Sequence, residues 1–190
     1  MTSHELDRPT PDLVRQYVQR FDTNPGLSAT DRSLAKLLAQ YPGNRNLDEV
    51  LLKAAALNSM YVTNIYLIFD MAAHIHHLDI DDILQVGSPG LVDRIADALI
   101  GGKHRRCYSF AAKYCAWHRP DAYPIFDSYV EQALWDYGKQ DCFADFRRSD
   151  LWVYPLFKGI LTDFRAYYRL TDFTFKELDK FLWGYGGGLR

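Results

Sequence analysis

The stretch SFAAKYCAWHRPDAYPIFDSYVEQAL, residues 109–134, decides the reading of the chain, because it sets two helical segments around one sharp turn. Apolar spacing predicts helices over about 109–118 and 128–138, separated by RPDAYPI. Asp127 stands directly after Tyr-Pro-Ile-Phe and directly before the second helix. A carboxylate there caps the helix by accepting its first free N–H groups. Tyr123 and Phe126 would limit water around it, Pro124 would restrict the approach of the turn, and the helix start favours the charged form. One geometry therefore serves capping and chemistry alike.

Outward from this stretch the pattern stays helical. Pro11 to Phe21 places Leu13, Tyr17 and Val18 along one face. TDRSLAKLLAQY opens on Thr30 as a cap and stops at Pro42-Gly43. LDEVLLKAAALN and SMYVTNIYLIFDMAAHIHHL are strongly apolar and are expected to run through the core. DIDDILQVG reads as a short helix ended by Gly87, and SPGLVDRIADALIGG as a helix that ends on Gly101-Gly102. YPLFKGILTDFRAYYRL and TFKELDKFLWGYG follow at helical spacing. The expectation is an all-α, single compact domain over residues 1–190, built of nine or ten short helices.

The bulk numbers narrow the function classes. A hydrophobic share of 48% is ordinary, whereas an aromatic share of 15% is high and supplies either core area or stacking platforms. A net charge of -2 gives no global attraction to nucleic acid, so charge distribution matters more than the total. Cys107, Cys115 and Cys142 are odd in number and lack a C-x-x-C pairing, which points to reduced thiols, a cytoplasmic protein and no zinc site. No signal peptide or membrane span is read in the chain.

Charge is segregated locally. From Ala98 to Pro120 there is no acidic residue, while Lys103, Arg105, Arg106, Lys113 and Arg119 all fall there. Paired glycines let backbone N–H groups approach a phosphate, and the neighbouring cations add salt-sensitive grip, so Gly101, Gly102, Lys103, Arg105, Arg106, Ser109 and Lys113 form a candidate DNA-binding set. A solvated turn with a chance charge run is the plain alternative. HIHHLDIDD places His74, His76, His77, Asp79, Asp81 and Asp82 within nine residues. Only His74 and His77 share a helical spacing suited to ligation, so the cluster reads as a helix end before a new helix start; a metal-dependent phosphohydrolase is the rival reading.

A helix, a glycine hairpin, a helix and then an aspartate at the head of the next helix resemble the helix-hairpin-helix DNA glycosylase superfamily, nearest its 8-oxoguanine-glycosylase-like branch. Ser109 to Asp127 spans the family's hairpin-to-aspartate interval of about nineteen residues, and YPIFD is similar to the family's VPVD-type sequences. The likeness covers about residues 50–137. The chain departs from the family's Leu-Pro-Gly-Val-Gly hairpin. Tyr108 stands where bifunctional members carry a catalytic lysine, with Lys113 displaced into the next helix. The iron–sulfur cysteine pattern of some members is missing.

The resemblance implies a monofunctional DNA N-glycosylase without cofactor, acting as a monomer on double-stranded DNA. Asp127 would stabilise the cation that develops on the sugar as the base departs and would orient or deprotonate a water. AALNSMYVTNI looks like the family segment that fills the gap left by an everted base, so Asn58, Ser59, Met60 and Tyr61 are candidates for that role. Tyr61, Tyr108, Phe126, Trp183 and Tyr185 are candidates for a base pocket. Two substrate classes fit: damaged bases met in repair, and hypermodified bases, such as glucosylated hydroxymethylcytosine in phage DNA, attacked in defence. A DNA-binding module that has lost its chemistry is the second alternative.

Overall fold

The computed structural model describes residues 6–188. The chain divides into two compact units, one continuous over residues 25–125 and one discontinuous, made of the segment up to residue 24 together with 126–190. The window that resembles the glycosylases crosses this division, and Asp127 lies just past it.

The continuous unit runs through α2 (Pro25–Gln40), α3 (Leu47–Met60), α4 (Ile68–His77), α5 (Asp81–Val86), α6 (Gly90–Ala96), β1 (Asp97–Ile100), β2 (Lys103–Arg106) and α7 (Tyr108–His118). Helix α7 is apolar almost all round, and Phe110, Ala111, Ala112, Tyr114 and Cys115 are all buried. Helices α2, α3 and α6 pack against it. Helix α5 stops where expected, at Gly87, whose φ of 71° is a left-handed cap that glycine adopts without cost.

The discontinuous unit holds α1 (Pro11–Thr23), α8 (Ser128–Asp141), a 3-10 turn at Arg148–Trp152, α9 (Tyr154–Tyr167), α10 (Phe175–Trp183) and a wide turn at Gly184–Gly188. Its helix starts are well specified. Thr10 accepts from Leu13 N–H ahead of α1, and Thr174 and Glu177 make a reciprocal capping box ahead of α10. Cys107, Cys115 and Cys142 are free thiols.

Three expectations need correction. The chain is mostly helical but not wholly so: Gly101-Gly102 joins two strands, not two helices. Helix α6 ends at Ala96, and Asp97–Ile100 pairs antiparallel with Lys103–Arg106, Ile100 opposite Lys103. With φ of 59° and 73°, the two glycines form the two-residue turn that a right-twisted hairpin favours. Second, α2 begins at Pro25, well before Thr30, because Pro is suited to a first helical turn. Third, SMYVTNIYLIFDMAAHIHHL is not one helix. Helix α3 stops at Met60 and α4 starts at Ile68, with Val62 and Asn64 at φ of 50° and 59° between them. The Asn58 side chain takes over the backbone groups that a helix would have paired. Its Nδ2 donates to Ile65 O (3.0 Å) and its Oδ1 accepts from Ile65 N–H (3.0 Å) and Thr63 Oγ1 (2.7 Å).

Candidate functional site

Asp127 is the N-cap of α8. Its backbone is extended, with φ of -151°, and one carboxylate oxygen accepts from the N–H groups of Tyr129 and Val130, each at 3.0 Å. Those two bonds fix the carboxylate, and the positive end of the helix lies beneath it. Aromatic rings flank the cap. The buried Phe126 packs edge-on against Trp152 (5.0 Å between ring centres) and Phe157 (5.3 Å), while Tyr129 meets Trp183 at 6.2 Å. One turn along α8, the buried Glu131 accepts from Arg148 Nε (2.8 Å) and Trp152 Nε1 (3.3 Å), so this second carboxylate is a structural tie.

The other residues expected around a base are spread over both units. Tyr185 packs against Tyr17, Phe181 and Tyr137, and its hydroxyl accepts from Asp7 N–H at 2.7 Å, an arrangement that belongs to a core. Asn58 is the clamp already described, its amide engaged with Ile65 and Thr63 of its own loop. Ser59 and Met60 are exposed at the end of α3. The Tyr61 hydroxyl accepts from Trp117 Nε1 at 3.0 Å. Tyr108 is buried, with the Arg106 guanidinium over its ring at 4.9 Å; burial and the nearby Asp93 push its hydroxyl far above the ordinary tyrosine range.

The basic set also divides. Arg106 donates to Asp93 (2.6 Å) and Asp97 (2.9 Å), so its charge is spent on closing the hairpin against α6. Lys113 is buried, donating to Ser109 Oγ at 2.7 Å with its ammonium over the Tyr61 ring at 5.3 Å. It is an internal group and not a surface phosphate contact, and Ser109 is its partner. Lys103 and Arg105 remain exposed on β2 and form no ion pair among the described residues. They border a groove of about 410 Å³ that runs between the hairpin and Thr63–Leu67. Asp70 Oδ2 accepts from Gly101 N–H at 2.7 Å, and a Cβ on Gly101 would meet Leu67 Cδ1 at 3.0 Å, so hairpin tip and loop are closely fitted.

The histidine cluster scatters. His74 faces Arg94 O, His76 faces Arg45 O and His77 faces Ala73 O, three carbonyls in different directions. No group of three or more His, Cys, Asp or Glu side chains among the described residues is placed to hold a metal ion.

Two features escaped the sequence. One is Tyr66, the most exposed large apolar side chain among the described residues at 89%, carried on the loop beside the groove. The other is an internal polar network. Lys53, fully buried, donates to Gly43 O (2.6 Å) and Asn44 Oδ1 (2.9 Å); Tyr114 donates to the same oxygen (2.6 Å), and Asn44 donates in turn to Asp81 (2.7 Å). Burial lowers the Lys53 ammonium to about 8 against the pull of Asp81 and Glu49. His118 lies beside the network, its ring 5.0 Å from that of Tyr114, and burial followed by the Lys53 charge lowers it to about 3. A lysine inside LLKAAALN gives no sign in the sequence that it points inward.

The family model HI_0787_N, described as an N-terminal domain, matches residues 13–122, more than half of the chain. The chain is 46% identical over 127 residues to an uncharacterized protein of Haemophilus influenzae, an alignment covering 66% of this chain and 60% of that protein. The chain thus spans less than two thirds of the length of the curated relative it matches. No solved structure matches. No helix among the described residues is long and apolar enough to cross a membrane.

Proposed function

We propose, for a chain that belongs to the HI_0787_N family, that it removes a base from DNA by hydrolysis of the N-glycosidic bond at Asp127. The observation that carries this reading is the cap itself: a carboxylate immobilised by two amides, at the head of a helix, between aromatic rings. In the reaction, the C1′–N bond breaks with its electron pair on the departing base, leaving a cationic sugar that Asp127 stabilises. A water oxygen then bonds to C1′. Its proton passes to Asp127 and on to the nitrogen of the released base, giving free base and an abasic site. The position at which bifunctional enzymes carry an amine is Tyr108, so no covalent imine with the sugar is expected. The target is a damaged base or a hypermodified one, glucosylated hydroxymethylcytosine of phage DNA included.

The test is a panel of DNAs, phage DNA with glucosylated hydroxymethylcytosine among them, scored for released nucleobase by mass spectrometry. Asp127→Asn keeps a good cap, so its melting temperature stays while base release falls at least about 100-fold, as for the loss of one charge-stabilising group. Undiminished release by that variant sinks the mechanism. A covalent adduct after borohydride reduction would replace it with amine chemistry.

A DNA-binding module without catalysis is the second reading, favoured by one observation: the family match includes the hairpin and ends before Asp127. It expects salt-sensitive binding and no abasic product from any DNA in the panel.

A further inference from the structure

The loop Tyr61–Leu67 is held in a conformation that its own residues resist. Val62 is β-branched and sits at φ of 50°, where a branched Cβ crowds the backbone; Asn64, at 59°, tolerates the region better. The strain persists because the Asn58 side chain spans the loop with the three hydrogen bonds given above. Strain kept by a dedicated clamp is a feature of functional loops. What this clamp displays is apolar. Tyr66 is 89% exposed, and Leu67, which lines the same groove, is about half exposed. Exposed apolar side chains at the edge of a groove mark an interaction site.

Charge identifies the occupant. The groove's far wall is the β-hairpin, where Lys103 and Arg105 stand exposed and without a carboxylate partner among the described residues, while the neighbouring Arg106 is held by Asp93 and Asp97. An aromatic ring standing out of a rigid loop, opposite two unneutralised cations, matches a chain of phosphates that carries flat bases. We propose that this groove binds an unpaired nucleotide of a DNA strand, its base stacked on Tyr66 and its flanking phosphates on Lys103 and Arg105. The proposal rests on the reading of the protein as DNA-binding but not on base excision, since every residue it uses lies in the continuous unit and Asp127 does not. A paired duplex keeps its bases stacked inside and offers Tyr66 nothing. The site therefore selects DNA with a bulge, a mismatch or a single-stranded end.

The experiment measures binding of the full chain, by fluorescence anisotropy, to three labelled oligonucleotides: a paired duplex, the same duplex with a thymine bulge, and the single strand. Base release is scored separately on the same DNAs. The bulged and single-stranded forms are expected to bind at least about 10-fold more tightly than the paired one. Tyr66→Ala should weaken them about 5- to 100-fold, the range for loss of one stacked base, while Tyr66→Phe restores most of the binding. Tyr66 is so exposed that neither change should alter the melting temperature. Lys103→Ala and Arg105→Ala should each lower the salt dependence by about one released ion. Asn58→Ala is the second route to the same result, since it frees the loop without touching a contact residue. Equal affinity for all three DNAs, or Tyr66→Ala binding as tightly as the wild type, overturns the site. So does equal binding to vesicles of anionic lipid, which would mark the patch as a membrane surface. Tyr66-dependent binding with no base released keeps the site and removes the excision reading. Base release with Tyr66-independent binding does the reverse.

Discussion

The two units fill their interiors by different means. In the discontinuous unit the core is a continuous set of rings: Phe164 lies 4.7 Å from Tyr168, 5.4 Å from Phe143 and 5.5 Å from Tyr137, and Tyr137 stacks on Tyr185. In the continuous unit, a buried lysine, asparagine and tyrosine with a partly buried aspartate tie the turn before α3 to α5 and α7. Rings lose water without regard to pH, whereas the polar network holds groups whose charge the solution can change. Much of the high aromatic content is thus core area in one unit, while in the other Tyr66 and Phe69 stand out from the surface.

The largest effect should come from the ring core. Phe164→Ala removes a fully buried ring and is expected to cost about 3–5 kcal/mol, read as a fall in the urea midpoint. That loss should be the same at neutral and mildly acidic pH. A pH-dependent loss would mean that the rings are coupled to a titrating group, and the contrast between the units would fail.

Lys53→Met should cost about 3 kcal/mol, because it strips the donor from Gly43 O and Asn44 and leaves Asp81 with less compensation. It carries a signature that the ring substitution lacks. With the folded ammonium lowered to about 8 and the unfolded one at 10.5, the unfolded chain binds more protons between those values. Wild-type stability therefore gains a rising contribution as pH climbs above 8, until the buried tyrosines, whose hydroxyls are held above the ordinary 10, oppose it. In Lys53→Met that rise should vanish; its survival would assign the slope elsewhere.

His118 gives the acid counterpart. Its folded value is lowered to about 3 from 6.5, and its Nε2 has no hydrogen-bond partner among the described residues. The contribution is present above pH 6.5 and is lost as pH falls, at up to about 1.4 kcal/mol per pH unit. Urea midpoints between pH 6.5 and 5, above the carboxylate range, should show this slope in the wild type and lose it in His118→Phe. An unchanged slope would place the titrating group outside the network.

These contrasts explain what the sequence could disclose. Helices α3, α7 and α8 were legible because their apolar spacing and caps are local properties, and Gly87 marked an ending that only glycine makes cheaply. The hairpin was not, since DALI and KHRR are too short for alternation to register, and a glycine pair suits a helix end as well as a strand turn. Nor could charge counting divide Arg106, paired across the ladder with Asp97, from Arg105 next to it, because pairing partners are set by strand register. Lys53 carried no separate sign within LDEVLLKAAALN, and Lys113 counted among the candidate DNA contacts, whereas tertiary packing turns both inward. Asp127 was legible as a cap because its bonds reach only two and three residues along the chain.

The smallest effect separates the two roles given to that cap. Asp127→Ala removes both acceptor contacts to Tyr129 and Val130 and should cost about 1 kcal/mol, a small shift in melting temperature, whereas Asp127→Asn should cost a few tenths at most. Base release should ignore that distinction and fall equally in both, since neither side chain can stabilise a sugar cation or take a proton from water. If release instead tracks stability, with Asn nearly as active as Asp, the carboxylate is only a helix cap and the discontinuous unit contributes no chemistry through it.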